Sequence, residues 1–315
     1  MNVPSPTNPD VPKSEQTTGE SWLIAAGVVL VASGLIHAII GWLNADDWSG
    51  PESLRKPMLF GLATGVTALS LVPVANYIRS RSATIGHIRL AAQLFASAAV
   101  IEVGLITIQA WRGVPSHFNT STAFDTTVHY AIDLLAIILT MVVAVWTGLS
   151  CRSKAPTPDV GLDRILSIRV GMVMLLLSCL FGIWMSFYGT ARVKAGLPPG
   201  TFGEAGVLKF VHGMPMHALQ FLLAGSWLMQ WRNVPESRRY TVTWMVSLGL
   251  LLLTLFAVLQ TFAGKSRFSF EPIALVPLLT GLLLLLSAWG WTALLLVGWI
   301  KPGNSGTSVA IHDAR

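Results

Sequence analysis

Charged side chains are scarce in this chain of 315 residues: they make up 11% of it, while hydrophobic residues make up 53%. A soluble domain carries about a quarter charged residues, so this composition excludes an ordinary soluble protein. The chain also lacks a Walker motif and any GxSxG, HExxH or CxxCH segment. Their absence removes the usual sequence signs of P-loop NTPases, α/β-hydrolases, zinc proteases and c-type cytochromes.

Cysteine is nearly absent as well. Cys151 and Cys179 are the only two, and we predict one in a loop and one inside a span, which argues against a disulfide. Their spacing does not suit a zinc site. Residues 1–20 lack the apolar core of a signal peptide, so we predict a disordered cytoplasmic tail there, and a second one at 301–315.

What the chain does have is long apolar stretches of about 20 residues, the length that crosses the hydrocarbon layer of a bilayer. They fall at 22–44, 58–78, 90–111, 127–149, 165–188, 208–231, 241–262 and 275–299. We therefore predict an all-α, polytopic integral membrane protein, a bundle of about eight transmembrane helices. The sixth span is the weakest, because its polar opening contains Pro215.

The net charge of +6 does not indicate a nucleic-acid partner, because the basic residues are dispersed over the loops. They are more frequent in the tails and in the connections after spans two, four and six. Such a bias favours the cytoplasmic side. We expect both termini in the cytoplasm of a bacterium, with the protein in its inner membrane.

The two halves of the chain resemble each other. Span three ends in QAWRG at 109–113 and span seven in QTFAG at 260–264, so Gln, an aromatic residue and Gly recur at the same spacing. An even number of spans would keep two tandem copies in the same orientation. We predict two four-helix halves, 21–150 and 165–300. The alternative is that similar helix ends recur by chance.

Most chemically capable side chains gather near the connections after spans one, three, five and seven, which share one side of the membrane. Glu102 and Gln109 lie on one face of span three, and Arg112 and His117 follow in a polar loop. A carboxylate at membrane depth needs a partner or a proton. Glu102, Arg112, His117 and Asp133 are the predicted catalytic residues. A structural ion pair and a solvated loop are the alternatives.

Four histidines are predicted at similar depth. His37, His129, His212 and His217 are candidate axial ligands of haem b, with Glu102 and Asp133 handling protons. Gln109 and Gln220 complete the predicted cofactor-binding set. Met214 and Met216 also permit a soft metal such as Cu(I), so the metal stays open. Histidines that only form hydrogen bonds between helices are the alternative.

The segments KPMLF at 56–60, QAWRGVPSHFN at 109–119 and HGMPMHALQ at 212–220 resemble a family of bacterial polytopic membrane proteins of unassigned function. That family carries KPxKF-like, RGxxSHFN-like and HFxGLHALQ-like segments. Leu59 stands where the family tends to have a second Lys. The resemblance supports the choice of residues and implies no particular reaction.

Three functions fit these patterns, and whether the protein is an enzyme stays open. The first is a redox protein that binds haem b or a quinone, with 12 Trp and 13 Phe available to line a flat cofactor. The second is a transporter in which Lys56, Glu102 and Arg112 bind a small anionic or zwitterionic solute. The third is a membrane subunit without catalysis, whose polar residues only hold the helices together.

Overall fold

A computed structural model of the protein describes residues 18–44, 47–50, 52–80, 85–152, 160–269 and 271–298. Nine helices and two short strands follow one another in this part of the chain. The helices are α1 (Thr18–Leu43), α2 (Arg55–Arg79), α3 (Ile85–Trp111), α4 (Ala123–Arg152), α5 (Leu162–Lys194), α6 (Leu208–Met216), α7 (Ala218–Trp231), α8 (Glu236–Phe262) and α9 (Pro272–Leu296). The strands β1 (Thr201–Phe202) and β2 (Gly206–Val207) form a two-stranded sheet.

Among the described helices, seven are long and apolar enough to cross a membrane: α1 to α5, α8 and α9. They confirm the predicted all-α polytopic bundle. The sixth predicted span differs, because it consists of two shorter helices, α6 and α7, that meet at His217. Pro215 has no amide hydrogen to donate, and its ring prevents the regular helix from continuing.

The ends of the predicted spans shift by a few residues. Helix α1 begins at Thr18, so the last three residues of the predicted tail 1–20 are helical. The rest of that tail and the whole of 301–315 lie outside the described residues. Cys151, predicted in a loop, lies in the last turn of α4, and both cysteines are free thiols.

The described chain divides into two compact units. The first contains the described residues before Ser153 together with Leu175–Thr201, and the second contains those of 154–174 and those from Phe202 onward. The chain therefore passes between the units after Ser153, again between Met174 and Leu175 inside α5, and again between Thr201 and Phe202. The predicted duplication of a four-helix half remains a prediction.

Two glycine-rich helices form a close contact in the first unit. A Cβ atom at Gly61 of α2 would lie 2.8 Å from the carbonyl oxygen of Leu30 and 2.9 Å from the amide nitrogen of Gly34, both on α1. A Cβ at Gly65 would lie 2.9 Å from the carbonyl oxygen of Gly27. Small residues permit this backbone approach, which supplies much of the van der Waals attraction between membrane helices.

A buried ion pair joins three helices of the second unit. Asp163 at the start of α5 lies 3.1 Å from the Arg239 guanidinium of α8 and accepts a 2.5 Å hydrogen bond from the Ser226 hydroxyl of α7. Asp163 and Ser226 are both almost completely buried. The three groups therefore compensate one another's desolvation at one end of this unit.

The ends of α3 and α8 have the same backbone geometry. Gly113 follows α3 and Gly264 follows α8, each with a positive φ, 67° and 70°. The carbonyl oxygens of Gln109 and Gln260 each accept the amide hydrogen of the residue after that glycine, Val114 or Lys265. Two copies of a duplicated segment would both keep such a glycine-terminated helix end. The same helix end is also common in unrelated helices.

Candidate functional site

A hydrogen-bonded network ties the end of α3 to the start of α4. Gln109 Nε2 donates to Asp125 Oδ1 over 2.9 Å, and Arg112 Nη1 donates to the same oxygen over 2.6 Å. Arg112 also donates to the Gln109 amide oxygen, and its guanidinium lies 4.7 Å from the ring centre of Phe124. Two predicted site residues, Gln109 and Arg112, are therefore parts of an anchor between helices.

Thr122 caps the first turn of α4. Asp125 lies inside this turn, and its amide hydrogen is donated to the Thr122 hydroxyl over 3.1 Å. That hydroxyl donates in turn to Asp125 Oδ2 over 2.7 Å. Thr122 is thus the N-cap, in a reciprocal arrangement like a capping box. The Asp125 carboxylate also accepts hydrogen bonds from Gln109 and Arg112 at the end of α3. The sequence around Asp125 does not reveal these donors.

Lys56 and His117 meet although they lie far apart in sequence. Lys56 Nζ, at the start of α2, lies 3.0 Å from His117 Nδ1, and the Ser116 hydroxyl lies 3.1 Å from the same nitrogen. Because an ammonium group only donates, this nitrogen of His117 carries no proton in the observed arrangement. The loop 113–122 therefore holds the neutral imidazole of His117 beside the Lys56 ammonium group at the start of α2.

Phe118, the next residue, has an unusual backbone. Its φ is +60°, a region that non-glycine residues rarely adopt. This conformation directs its amide hydrogen to His129 Nδ1 over 3.3 Å. The Phe118 ring packs against α5, where a Cβ atom at Gly189 would lie 2.6 Å from the ring edge. Gly189 is therefore needed for the ring to sit there.

His129 and Asp133 continue this series of groups along α4. His129 is 1% exposed, and its Nε2 has no hydrogen-bond partner within the described part of the chain. Asp133 Oδ2 lies 3.8 Å from that nitrogen, too far for a hydrogen bond but close enough for charge attraction. Asp133 Oδ1 accepts a 2.7 Å hydrogen bond from the Ser186 hydroxyl of α5. His129 and Asp133, four residues apart, thus lie on one face of α4.

Glu102 lies deeper in the span, on α3. Its side chain is buried, and no hydrogen-bond donor or ion-pair partner contacts it among the described residues. It is close enough to Asp133 for the two carboxyl groups to act on each other electrostatically. Arg112 contacts Asp125 and Lys56 contacts His117, so neither cation pairs with Glu102. A buried carboxyl in this position is far less costly neutral than charged.

His37 is held by two other groups of the first unit. Its Nδ1 lies 2.7 Å from the carbonyl oxygen of Ser33, and its Nε2 accepts the indole hydrogen of Trp111 over 3.0 Å. Both ring nitrogens are therefore occupied, so His37 would have to give up one of these bonds to bind haem iron. Haem ligation by His37 and His129 remains a prediction.

The remaining predicted ligands lie in the second unit. His212 is in α6, His217 stands between α6 and α7, and Gln220 is in the first turn of α7; all three are half-buried. The helix break separates His212 from His217, so they do not follow the geometry of one continuous helix. Groups of three or more His, Cys, Asp or Glu suited to a metal ion are absent from the residues that the structure describes.

A small, partly open recess lies in the second unit between α7, α8 and α9. Its lining includes Phe221, Trp289 and Thr243. The Thr243 hydroxyl is buried and has no hydrogen-bond partner among the described residues. Sequence reasoning identified neither this recess nor the Asp163 cluster, since single Ser and Thr residues in apolar helices give almost no signal.

Sequence reasoning also missed two residues that support the first-unit site, Ser186 and Gly189. Both lie in α5, and neither has a distinctive sequence neighbourhood. Comparison with known proteins adds no further residues: a scan of family models, a search of curated proteins and a search of solved structures each gave no match. A function can therefore be inferred only from the contacts within the chain itself.

Proposed function

We propose that this protein is a proton-coupled membrane carrier, with its proton-binding site formed by Glu102, Asp133 and His129 of the first unit. The observation that carries the proposal is Glu102: its carboxyl group is buried in a membrane-spanning helix, without a donor among the described residues, beside the Asp133 carboxylate. Ionisable groups at membrane depth are costly and commonly mark ion or substrate pathways.

The neighbouring groups supply a route for the proton. His129 lies 3.8 Å from Asp133 on its inner side. On its other side it contacts Phe118 of the loop 113–122, and the next loop residue, His117, contacts Lys56. Histidine can take up and release a proton near neutral pH. A proton that reaches His129 can pass to Asp133, and the mutual repulsion of two carboxylates favours one shared proton on the Asp133 and Glu102 pair.

A small anionic or zwitterionic solute is the cargo that this site favours. Lys56 brings a positive charge to the loop end of the first unit, where it contacts His117. A solute carboxylate that approached there would meet this cation. Protonation of the Asp133 and Glu102 pair would remove negative charge on the path inward, which couples proton binding to anion entry.

The test uses purified protein in liposomes, with a pH gradient driving uptake of labelled carboxylates and amino acids. We expect uptake in the wild type that a protonophore abolishes, and uptake no higher than in empty liposomes for Glu102→Gln, which keeps the shape but cannot carry the proton. Glu52→Gln is the matched control, because Glu52 is exposed ahead of α2. Equal uptake by Glu102→Gln and wild type would refute the assigned role of Glu102.

Infrared difference spectra recorded at two pH values provide an independent check on proton binding. The carbonyl stretch of a protonated carboxyl group should be present in the wild type and in Glu52→Gln. It should be lost or reduced in Glu102→Gln. A spectrum unchanged by Glu102→Gln would show that this residue does not bind the proton.

A quinone-linked redox protein is the second candidate, and the aromatic residues around His117 favour it. The rings of Phe60 and Phe118 lie 6.0 Å and 6.1 Å from the His117 ring, centre to centre. A flat quinone ring could pack among them and accept a hydrogen bond from the imidazole. Solvent extraction of the purified protein should then yield a quinone, and its yield should fall in Phe60→Ala.

A further inference from the structure

We propose that Phe118 positions His129 and acts as a gate over it that opens when His129 becomes doubly protonated. The inference rests on the proposed role of His129 in proton handling, but it concerns a separate event, the release of the loop 113–122. It combines three observations on the same residue: a left-handed backbone, an amide bond to an imidazole nitrogen, and a ring seated against a glycine.

The hydrogen bond from Phe118 to His129 has a defined direction. A backbone amide can only donate, so His129 Nδ1 accepts at 3.3 Å and carries no proton. The proton of the neutral ring is then on Nε2, the nitrogen that faces Asp133 at 3.8 Å. A second proton can only add to Nδ1. It forms an N–H bond there and removes the lone pair that the Phe118 amide uses.

After this step two N–H groups would point at each other, and the contact between Phe118 and His129 becomes repulsive. The imidazolium is at the same time attracted to the Asp133 carboxylate through its Nε2 hydrogen. The ring of His129 is thus drawn away from the loop. The Nε2 proton can then be passed inward to Asp133. The neutral ring that remains carries its proton on Nδ1 and its lone pair on Nε2, so the hydrogen bond from the Phe118 amide forms again only after Nδ1 has lost its proton and Nε2 has regained one.

The Phe118 backbone is poised to move once that bond is lost. A φ of +60° is unfavourable for a residue with a Cβ atom, so Phe118 holds this conformation only because its surroundings compensate. Those surroundings are the amide bond to His129, the ring contact at 5.7 Å with the same imidazole, and the place beside Gly189. Loss of the first lets the residue relax and withdraw its ring.

Several titratable and charged groups lie around His129. They are Asp133 and Tyr130 on the same helix, His117 from the loop, Lys56 from α2 through His117, and Glu102 from α3 beyond Asp133. From α5 the Ser186 hydroxyl holds Asp133.

Hydrogen–deuterium exchange of the full-length protein in nanodiscs tests the gate, with single-amide resolution at Phe118. The loop supplies its own control, because the Ser121 amide donates to Asn119 Oδ1 over 3.1 Å, an acceptor that does not titrate. Exchange is compared with the intrinsic rate at each pH between about 8 and 5, the range in which histidine changes charge.

We expect protection of the Phe118 amide to fall by about fivefold or more toward low pH, the factor that matches one lost hydrogen bond. Protection of the Ser121 amide should not change. In His129→Gln the pH dependence at Phe118 should disappear. Gly189→Ala should lower the protection of Phe118 at both ends of the pH range, whereas Gly104→Ala, where a Cβ meets nothing within 4 Å, should not.

Three results would overturn the gate: constant protection of Phe118 in the wild type, the same fall in His129→Gln, or a joint fall at Phe118 and Ser121. The solute-uptake assay separates this from the proposed function. Uptake that depends on Glu102 with no response at Phe118 would leave the carrier standing and remove the gate. A pH-dependent fall in protection at Phe118 without solute uptake driven by the pH gradient would support the gate and refute the carrier.

Discussion

Gly61→Ala should weaken the contact between α1 and α2. The added methyl carbon would lie 2.8 Å from the carbonyl oxygen of Leu30, 2.9 Å from the amide nitrogen of Gly34 and 3.0 Å from its Cα. All three are backbone atoms, so no side chain can rotate aside to make room. The two helices must instead move apart along their shared contact.

The expected cost follows from overpacking, which destabilises a well-packed interior by about 1–3 kcal/mol. Alanine is also a better helix former than glycine, by about 1 kcal/mol, and this gain opposes the cost. Gly104→Ala separates the gain in helix propensity from the cost of the clash. Gly104 lies inside α3 with no atom within 4 Å of its added Cβ, so that variant keeps the gain in propensity without the clash.

The variants are compared by thermal unfolding of the purified protein in one detergent, followed by the reaction of the partly buried Cys179 with a thiol-reactive dye. All carry Cys151→Ser, because Cys151 is exposed in the folded protein. We expect Gly61→Ala to unfold a few degrees below Gly104→Ala, and Gly104→Ala to unfold at or above the wild-type temperature. If Gly61→Ala and Gly104→Ala unfolded at the same temperature, the close approach of α1 and α2 would not exist in the membrane protein.

Two further substitutions test other contacts. Asp163→Ala should cost about 3–5 kcal/mol, because it leaves the Arg239 guanidinium without its buried counter-charge; chemical denaturation in detergent measures it, and a cost no larger than that of an exposed substitution would contradict the ion pair. Thr122→Ala should cost about 0.5–2 kcal/mol by removing the N-cap of α4. Thr122→Ser should retain most of the stability, and equal losses for the two variants would rule out the capping role.

The sequence predicted the membrane spans well because burial in lipid demands long apolar runs, and such runs are visible without any contact information. It also marked Glu102, His129 and Asp133 as candidate site residues, since polar groups inside apolar helices stand out, and their role remains a prediction. The break at His217 was only partly visible. Pro215 marked the sixth span as irregular, but the residue where the helix restarts depends on packing against other helices.

The partners of the polar residues could not be predicted in the same way. The structure pairs Arg112 with Asp125 at the start of α4 and not with Glu102, although Glu102 is nearer along the chain. Ser186 binds Asp133 across 53 residues, and nothing in the local sequence selects that serine over other hydroxyl residues of α5. Sequence periodicity reports the face of a helix, whereas a partner depends on how two faces meet.

The first unit is discontinuous in sequence, and this affects how the protein is made. When the ribosome has completed α4, Asp133 and Phe118 are already in place, but Ser186 and Gly189 have not yet been synthesised. Asp133 and Phe118 must therefore wait in the insertion machinery or the bilayer until the rest of α5 follows. A fragment cut in the loop before α5 would keep both residues but would lack Ser186, which donates to Asp133, and Gly189, beside which the Phe118 ring sits.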